Sequence, residues 1–242
     1  MTPGRAARLA HKWLALAVGI QLLLWAASGF YMVVVDLDFI HGDPLVRNLK
    51  PPLDVTGRLV SFDSLRQGRS DIQAINLRAL PDDSSAVYEI VTATGRELVD
   101  ARTGDRISPL PETRVIELAR AYYAGSGQVE QVRLIAREAD RPGEAQGRPL
   151  PLWRVDFDDW LETSLYVHPD SGVLATRRHR FWRWFDFMWA LHIMDYRERT
   201  DVNNWLLLIV SVLGTTTVVS GLWLTWFSFG FLGGRRRKGA GR

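Results

Sequence analysis

Two long stretches without a single charged residue constrain this chain more than anything else in it. Residues 13–35 form an uncharged run of 23 residues, and residues 205–232 form one of 28. At 1.5 Å of rise per residue each is long enough to cross a bilayer core of about 30 Å as a helix. Trp13, Trp25 and Tyr31 in the first run, and Trp205, Trp223 and Trp226 in the second, supply interfacial aromatics. Arg5, Arg8 and Lys12 precede the first run, and Arg235, Arg236, Arg237 and Lys238 follow the second. The positive-inside rule therefore predicts two spans with both termini in the cytoplasm and residues 36–204 on the other side. Ala26-Ala27-Ser28 offers the small-residue site of a cleaved signal peptide. The run stays apolar through Val35, however, which suits an uncleaved anchor.

The charge distribution agrees. All 27 acidic residues fall between Asp36 and Asp201, a stretch with 22 basic residues and a balance of −5; the two ends carry the other eight basic residues and no acid. The overall +3 is thus a property of the ends, which points to a lipid bilayer as partner and away from nucleic acid. Cysteine is absent. That excludes disulfides, thiolate-bound zinc, iron–sulfur clusters, CxxCH haem attachment and Cys nucleophiles.

The middle of the chain alternates helix and strand signals. Ser61 caps a short helix over 61–68, and 72–80 reads as a strand. Residues 87–92 and 97–101 read as a hairpin around Thr94-Gly95, followed by a turn at Arg102-Thr103-Gly104-Asp105. Pro111 opens a helix in which Val115, Ile116, Ala119, Tyr122 and Tyr123 share a face, closed by Gly125. A second group follows: a strand at 129–136, a polar Pro/Gly-rich loop at 137–149, a hairpin of 153–157 with 164–167, and the turn Pro169-Asp170-Ser171-Gly172. The acidic run Asp156-Phe157-Asp158-Asp159 reads as a solvated hairpin turn, with weak Ca²⁺ binding as the alternative. Each half thus runs helix, strand, hairpin, turn, an internal repeat of helix-on-antiparallel-sheet units with one sheet face buried and the other wet.

With Leu9-Ala10-His11-Lys12-Trp13-Leu14 entering the first span, Gly29 near its outer end, Leu191-His192-Ile193-Met194-Asp195 ahead of Asn203-Asn204, and the Thr/Ser-Gly hairpins, the chain resembles the PepSY-associated transmembrane proteins of bacteria. That resemblance implies an α+β membrane protein of the inner membrane, with two transmembrane helices flanking a periplasmic region of two PepSY-like repeats. The parts are residues 1–12 in the cytoplasm, a span at 13–35, PepSY-like units at 36–109 and 110–178, an interfacial amphipathic segment at 179–204, a span at 205–232 and a basic tail at 233–242. Larger members of the family have about four spans and are associated with siderophore-iron reduction through b-type haem; this chain has two.

Without cysteine, the five histidines are the strong candidates for haem-iron ligation. His11 lies at the cytoplasmic mouth of the first span, where Gly19 leaves room for a porphyrin face. Its alternative role is an ordinary helix-start residue beside Lys12. His192 lies in a segment, 181–196, rich in Trp, Phe and Met, read either as an interfacial helix or as an aromatic haem pocket. His41, just outside the first span, is the candidate partner of His192, or else a loop residue before Pro44. If the chain between them is helical, His11 and His41 are about 45 Å apart and cannot share a haem. His11 then needs a ligand from another chain. His168 reads as a turn residue, and His179, within Arg177-Arg178-His179-Arg180, as a headgroup contact. No GxSxG, HExxH or Walker motif is present.

Three functions follow as expectations. One is a periplasmic accessory or binding subunit of a larger, redox- or iron-related membrane assembly, with another membrane subunit or a second copy of itself as partner. The second is a b-haem electron-transfer subunit, and the third a regulator of a periplasmic peptidase. The topology is directly testable. An alkaline phosphatase fusion at Ser84 is expected to be active and one after Gly239 inactive, and the reverse pattern would overturn the assignment of sides.

Overall fold

The computed structural model describes residues 3–228. The end of the second apolar run, 229–232, and the basic tail lie outside the described residues. The chain forms two compact units: residues up to 35 together with those from 185 onward, and residues 36–184.

The first unit is helical. Helix α1 (Pro3–Val34) and the last helix, Trp205–Ser228, are both long and apolar enough to cross a membrane. Only 11% of each apolar window is buried, so neither is the core helix of a soluble domain. Leu16, Ile20, Leu23, Val33, Val212 and Leu222 all point away from the protein. In water, covering such surface is worth about 25 cal/mol per Å², so lipid or protein must surround it. The two helices run antiparallel, because Gly214 meets Leu22 and Trp25 whereas Gly221, two turns later, meets His11. A Cβ on Gly214 would stand 3.2 Å from Leu22, and one on Gly221 would stand 3.0 Å from the His11 ring. Small residues are what let helix backbones close up where no hydrophobic effect drives them together.

The second unit is α+β. After the short helices α2 (Leu37–His41) and α3 (Phe62–Arg66) come β1 (Ile72–Ala79), β2 (Ala86–Thr92) and β3 (Arg96–Asp100), an antiparallel sheet in that order. Helix α4 (Glu112–Tyr122) follows, then β4 (Val129–Ile135), β5 (Leu152–Phe157), β6 (Ser164–Val167) and β7 (Leu174–Arg178), a second antiparallel sheet in sequence order. Helix, strand and hairpin thus occur twice in the same order, and β7 is an addition to the second half that the sequence pattern does not announce. Ser61 caps α3 by accepting from the Ser64 N–H, and Gly104 and Gly172 take the positive φ that their turns need.

One core serves both sheets. Val115, Leu118 and Ala119 of α4 pack with Leu80, Val87 and Leu98 from the first half and with Val155, Phe157, Leu165 and Val167 from the second. Alternate residues point the other way, as the period of two demands. Tyr88 and Ile90 of β2 join Leu65 of α3 in a second cluster, and Tyr166 of β6 joins Leu152 and Ala145 in a third. The central strands are therefore covered on both faces, not wet on one. Helix α3 covers the first sheet, and the loop around Ala145 covers the second.

Gly125 does not close α4. The helix ends at Tyr122, and Tyr123 is already extended at φ −69°, ψ 126°. Gly125 is instead where the Tyr123 phenol passes: a Cβ there would overlap the ring. That ring stacks on Phe157 with centroids 4.0 Å apart, and its hydroxyl donates to Asp159 Oδ2 at 2.8 Å.

Helix α5 (Arg180–Ile193) divides between the units, its first residues with the α+β unit and the rest with the helical one. Met194, at φ +56°, turns the chain out of it. Asn204 then joins α5 to the final helix, α6 (Trp205–Ser228). Its Nδ2 donates to the Ile193 carbonyl at 2.8 Å, and its Oδ1 accepts from the Leu207 N–H at 2.9 Å, capping α6.

Candidate functional site

The helical unit places two of the three candidate ligands at opposite ends of α1. His11 Nδ1 lies 2.8 Å from Ser220 Oγ on α6. The Ser220 hydroxyl proton is already committed to the Thr217 carbonyl at 2.9 Å, so the serine oxygen accepts and the imidazole donates from Nδ1. His192 on α5 repeats the arrangement. Its Nδ1 lies 3.0 Å from Ser28 Oγ, and Ser28 donates to the Leu24 carbonyl at 2.7 Å. Both imidazoles are thereby held in the tautomer whose Nε2 carries the lone pair, the form that binds metal with a hydrogen bond fixing the ring from behind.

Each histidine stands against a glycine. His11 fills the space at Gly221, and His192 Cε1 lies 3.5 Å from where a Cβ on Gly29 would be. A groove of about 500 Å³ opens beside His11, lined by Thr217, Gly221, Leu222 and Thr225 among others. Gly19 has open space where its side chain would be. Around Ser28 the α1 face is polar: Gln21 Nε2 donates to the Leu191 carbonyl at 3.3 Å, while the Trp25 indole N–H and the Tyr31 hydroxyl are buried without a partner among the described residues.

His11 and Ser28 are 17 residues apart on one helix, about 26 Å, so the structure does not bring His11 and His192 to a common centre. His41 belongs to the α+β unit, where its ring is exposed at the end of α2 and its carbonyl accepts from Arg177 Nε at 3.0 Å. In chemical type and tautomer, His11 and His192 could each offer one imidazole nitrogen to haem iron. Among the described residues no three His, Asp or Glu side chains converge in a way that would hold a metal ion.

His179 departs most from its sequence reading. It is fully buried, not at a headgroup surface. Its Nε2 donates to the carbonyls of Phe39 and Ile40 at 3.0 and 3.1 Å, and its ring packs edge-on against Phe39 with centroids 5.1 Å apart. Beside it Arg177 bonds the His41 carbonyl and the Asp43 carboxylate. Gly42 takes the left-handed φ of +77°, and a Cβ there would stand 3.0 Å from Arg177 Cγ. The entry segment 39–43 and the exit segment 177–179 of the α+β unit are thus clasped together. No local signal could have shown this, since the partners are some 140 residues apart.

The acidic hairpin turn is spoken for internally. Asp159 accepts from the Thr163 N–H and hydroxyl and from Tyr123, and Asp158 accepts from the Gln128 N–H. Burial, and then the bond to Asp159, push the Tyr123 phenol up to about 12. In the loop between α5 and α6, Asp195 accepts the N–H groups of Asp201, Thr200, Arg197 and Glu198, which draws its carboxyl down to about 2. His168 sits where the sequence places it, in the turn before Gly172, which donates its N–H to the His168 carbonyl at 2.7 Å. Comparison with models of known families, with characterised proteins and with solved structures finds no match for this chain.

The clasp carries a pH dependence. Burial holds the His179 pKa below its usual 6.5; Arg183 also disfavours the charged ring, while the two carbonyls and Asp159 favour it. A histidine whose folded pKa is depressed stabilises the fold fully above about pH 6.5 and loses that contribution as pH falls towards the folded value. Thermal midpoints are therefore expected to fall between pH 7.5 and 5, and to fall less in His179→Gln, whose amide N–H can keep a carbonyl bond but takes no proton. His168, also shifted down by burial, is common to both proteins and cancels from the comparison. Equal pH dependence in the two would show that the clasp does not titrate.

Proposed function

We propose that the chain is a two-pass inner-membrane protein whose α+β unit faces the periplasm and serves as an accessory or binding module of a larger membrane assembly. The PepSY-like sequence features are what suggest a redox- or iron-related assembly. The observation that carries the reading is the state of the spans. Two helices joined at Gly214, at Gly221 and by the His11–Ser220 bond leave nearly all of their apolar surface uncovered. The outward side of α6 is grooved, with about 380 Å³ between Thr215, Thr216, Val219, Ser220, Trp223 and Leu224. A groove floored by small residues suits close approach by a helix of another subunit or of a second copy. Half-exposed Trp184 and Phe187 on α5 fit a helix lying in the outer interface.

A photocrosslinking amino acid at Thr216 in native membranes is expected to give an adduct heavier than the 27.5 kDa chain, containing one defined membrane protein or a second copy. Adducts to lipid alone would overturn the subunit reading.

A second reading, b-haem electron transfer, is favoured by the tautomers of His11 and His192, each with Nε2 left as the metal-binding nitrogen. His192 and His11 would hold the iron and fix its orientation through Ser28 and Ser220. Haem itself would supply one-electron chemistry. Each site supplies one imidazole, so the His11 site is completed by a histidine of another chain. Protein purified in detergent after expression with haem is expected, on this reading, to show a Soret and a sharp α band in the reduced-minus-oxidised spectrum. His192→Ala should diminish both. A folded preparation without these bands, or with bands unchanged in both His192→Ala and His11→Ala, would discard it.

A further inference from the structure

The α+β unit contains a cleft that none of these readings uses. It opens between the tip of the β2–β3 hairpin (Thr94, Gly95, Arg96), the loop from Arg148 to Pro151 and the segment after His168, and holds about 530 Å³. That volume lies within the range of pockets that take small molecules. Its floor is apolar: Pro149, Leu150, Pro151 and Val173 line it together with Leu174 and Ala175. Its rim is cationic. Arg96 and Arg148 both line it, beside His168.

These two arginines are not consumed by the fold. Arg96 touches Glu89 through one nitrogen at 3.0 Å and leaves more than half of its side chain, 56%, exposed. Arg148 has no ion pair among the described residues and stands in solvent. Asp170 is the one carboxylate lining this part of the cleft. The contrast with the adjoining recess is informative. That recess, of about 370 Å³, is also rich in arginine, but Arg69, Arg96 and Arg106 there face Asp71, Glu97 and Asp170, a neutral lining in which Arg69 and Arg106 share Glu97. Arg148 is the charge that the cleft adds, which leaves its lining with two arginines against Asp170.

We propose that this cleft binds a small organic anion, with carboxylate groups on Arg96 and Arg148 and a ring or hydrocarbon body on Pro149, Leu150, Pro151 and Val173. Guanidinium forks suit planar carboxylates, and the apolar floor selects against a bare inorganic ion, which would have to shed its water without replacement. A metal cation is disfavoured by the same two charges. The inference rests on the α+β unit alone and goes beyond the subunit reading, so it stands or falls independently of any membrane partner.

The test is calorimetric titration of the full chain in detergent with naphthalene-2,6-dicarboxylate, its neutral dimethyl ester and inorganic phosphate as probes. The dicarboxylate is expected to bind, and the ester and phosphate not. Arg148→Gln, at an exposed and unpaired position, leaves the fold intact and is expected to weaken binding roughly tenfold, as is Arg96→Gln. Asp170→Asn, which removes the opposing charge, is expected to tighten it. Circular dichroism checks that each variant is folded. Phosphate binding as tightly as the dicarboxylate would reduce the site to general attraction of anions and overturn the proposal. So would absence of dicarboxylate binding to the folded wild-type chain, or binding indifferent to Arg148→Gln.

Discussion

Away from water a polar group must find its partner inside the protein, and two serines of the helical unit meet that need in the same way. Ser28 and Ser220 each spend their proton on a carbonyl of their own helix and use the remaining oxygen lone pairs to accept from a histidine on another. Two such bonds, one near each end of α1, fix the rotation of the helices about their axes in a way that apolar contact cannot, since leucine packs equally well against lipid. The glycines follow from this. Gly29 and Gly221 are where the imidazoles lie against neighbouring backbone, and a side chain there would displace the ring from its serine.

The α+β unit is governed by a different economy. Its stability comes from a core in which one helix, α4, packs against residues of both sheets. That arrangement makes the two halves interdependent although each repeats the same order of elements. The outward faces of the sheets are closed by less regular chain, α3 on one side and the loop around Ala145 on the other. Charge helps to hold the second cover in place. Glu144 is nearly buried, and burial alone would raise its pKa, yet it accepts from Arg183 at 2.7 Å and from the Tyr166 hydroxyl at 2.6 Å, and these bonds hold its carboxyl below the usual range. A paired carboxylate under a sheet can fix the register of a cover that has little secondary structure of its own.

What was legible in the sequence was local. Uncharged length marked the apolar helices, short apolar stretches on either side of turn residues marked the two hairpins, and Thr103-Gly104 and Ser171-Gly172 marked turns whose glycines take positive φ. The histidines could be named as candidates by elimination, because no cysteine competes. What was not legible depended on distant partners. Strand β7 reads as a basic stretch because Arg177 and Arg178 end it. Their charges are answered by Asp43, far back in the chain, by the Glu144 carbonyl, and by the Trp182 ring, 4.0 Å from the Arg178 guanidinium carbon. His179 read as a surface residue for the same reason, when its neighbours' charges belong to other segments and its own ring belongs to the core. Gly125 read as a helix stop because glycine usually ends helices; here it makes way for the Tyr123 ring.

The clasp between residues 39–43 and 177–179 has a consequence for how such a chain can be assembled. The α+β unit begins and ends at one place, held by Arg177, His179 and the carbonyls they bond. A domain with its two ends tied together interrupts its host like a short loop, whatever its own length, because the entropy of closing the insertion is met within the insertion.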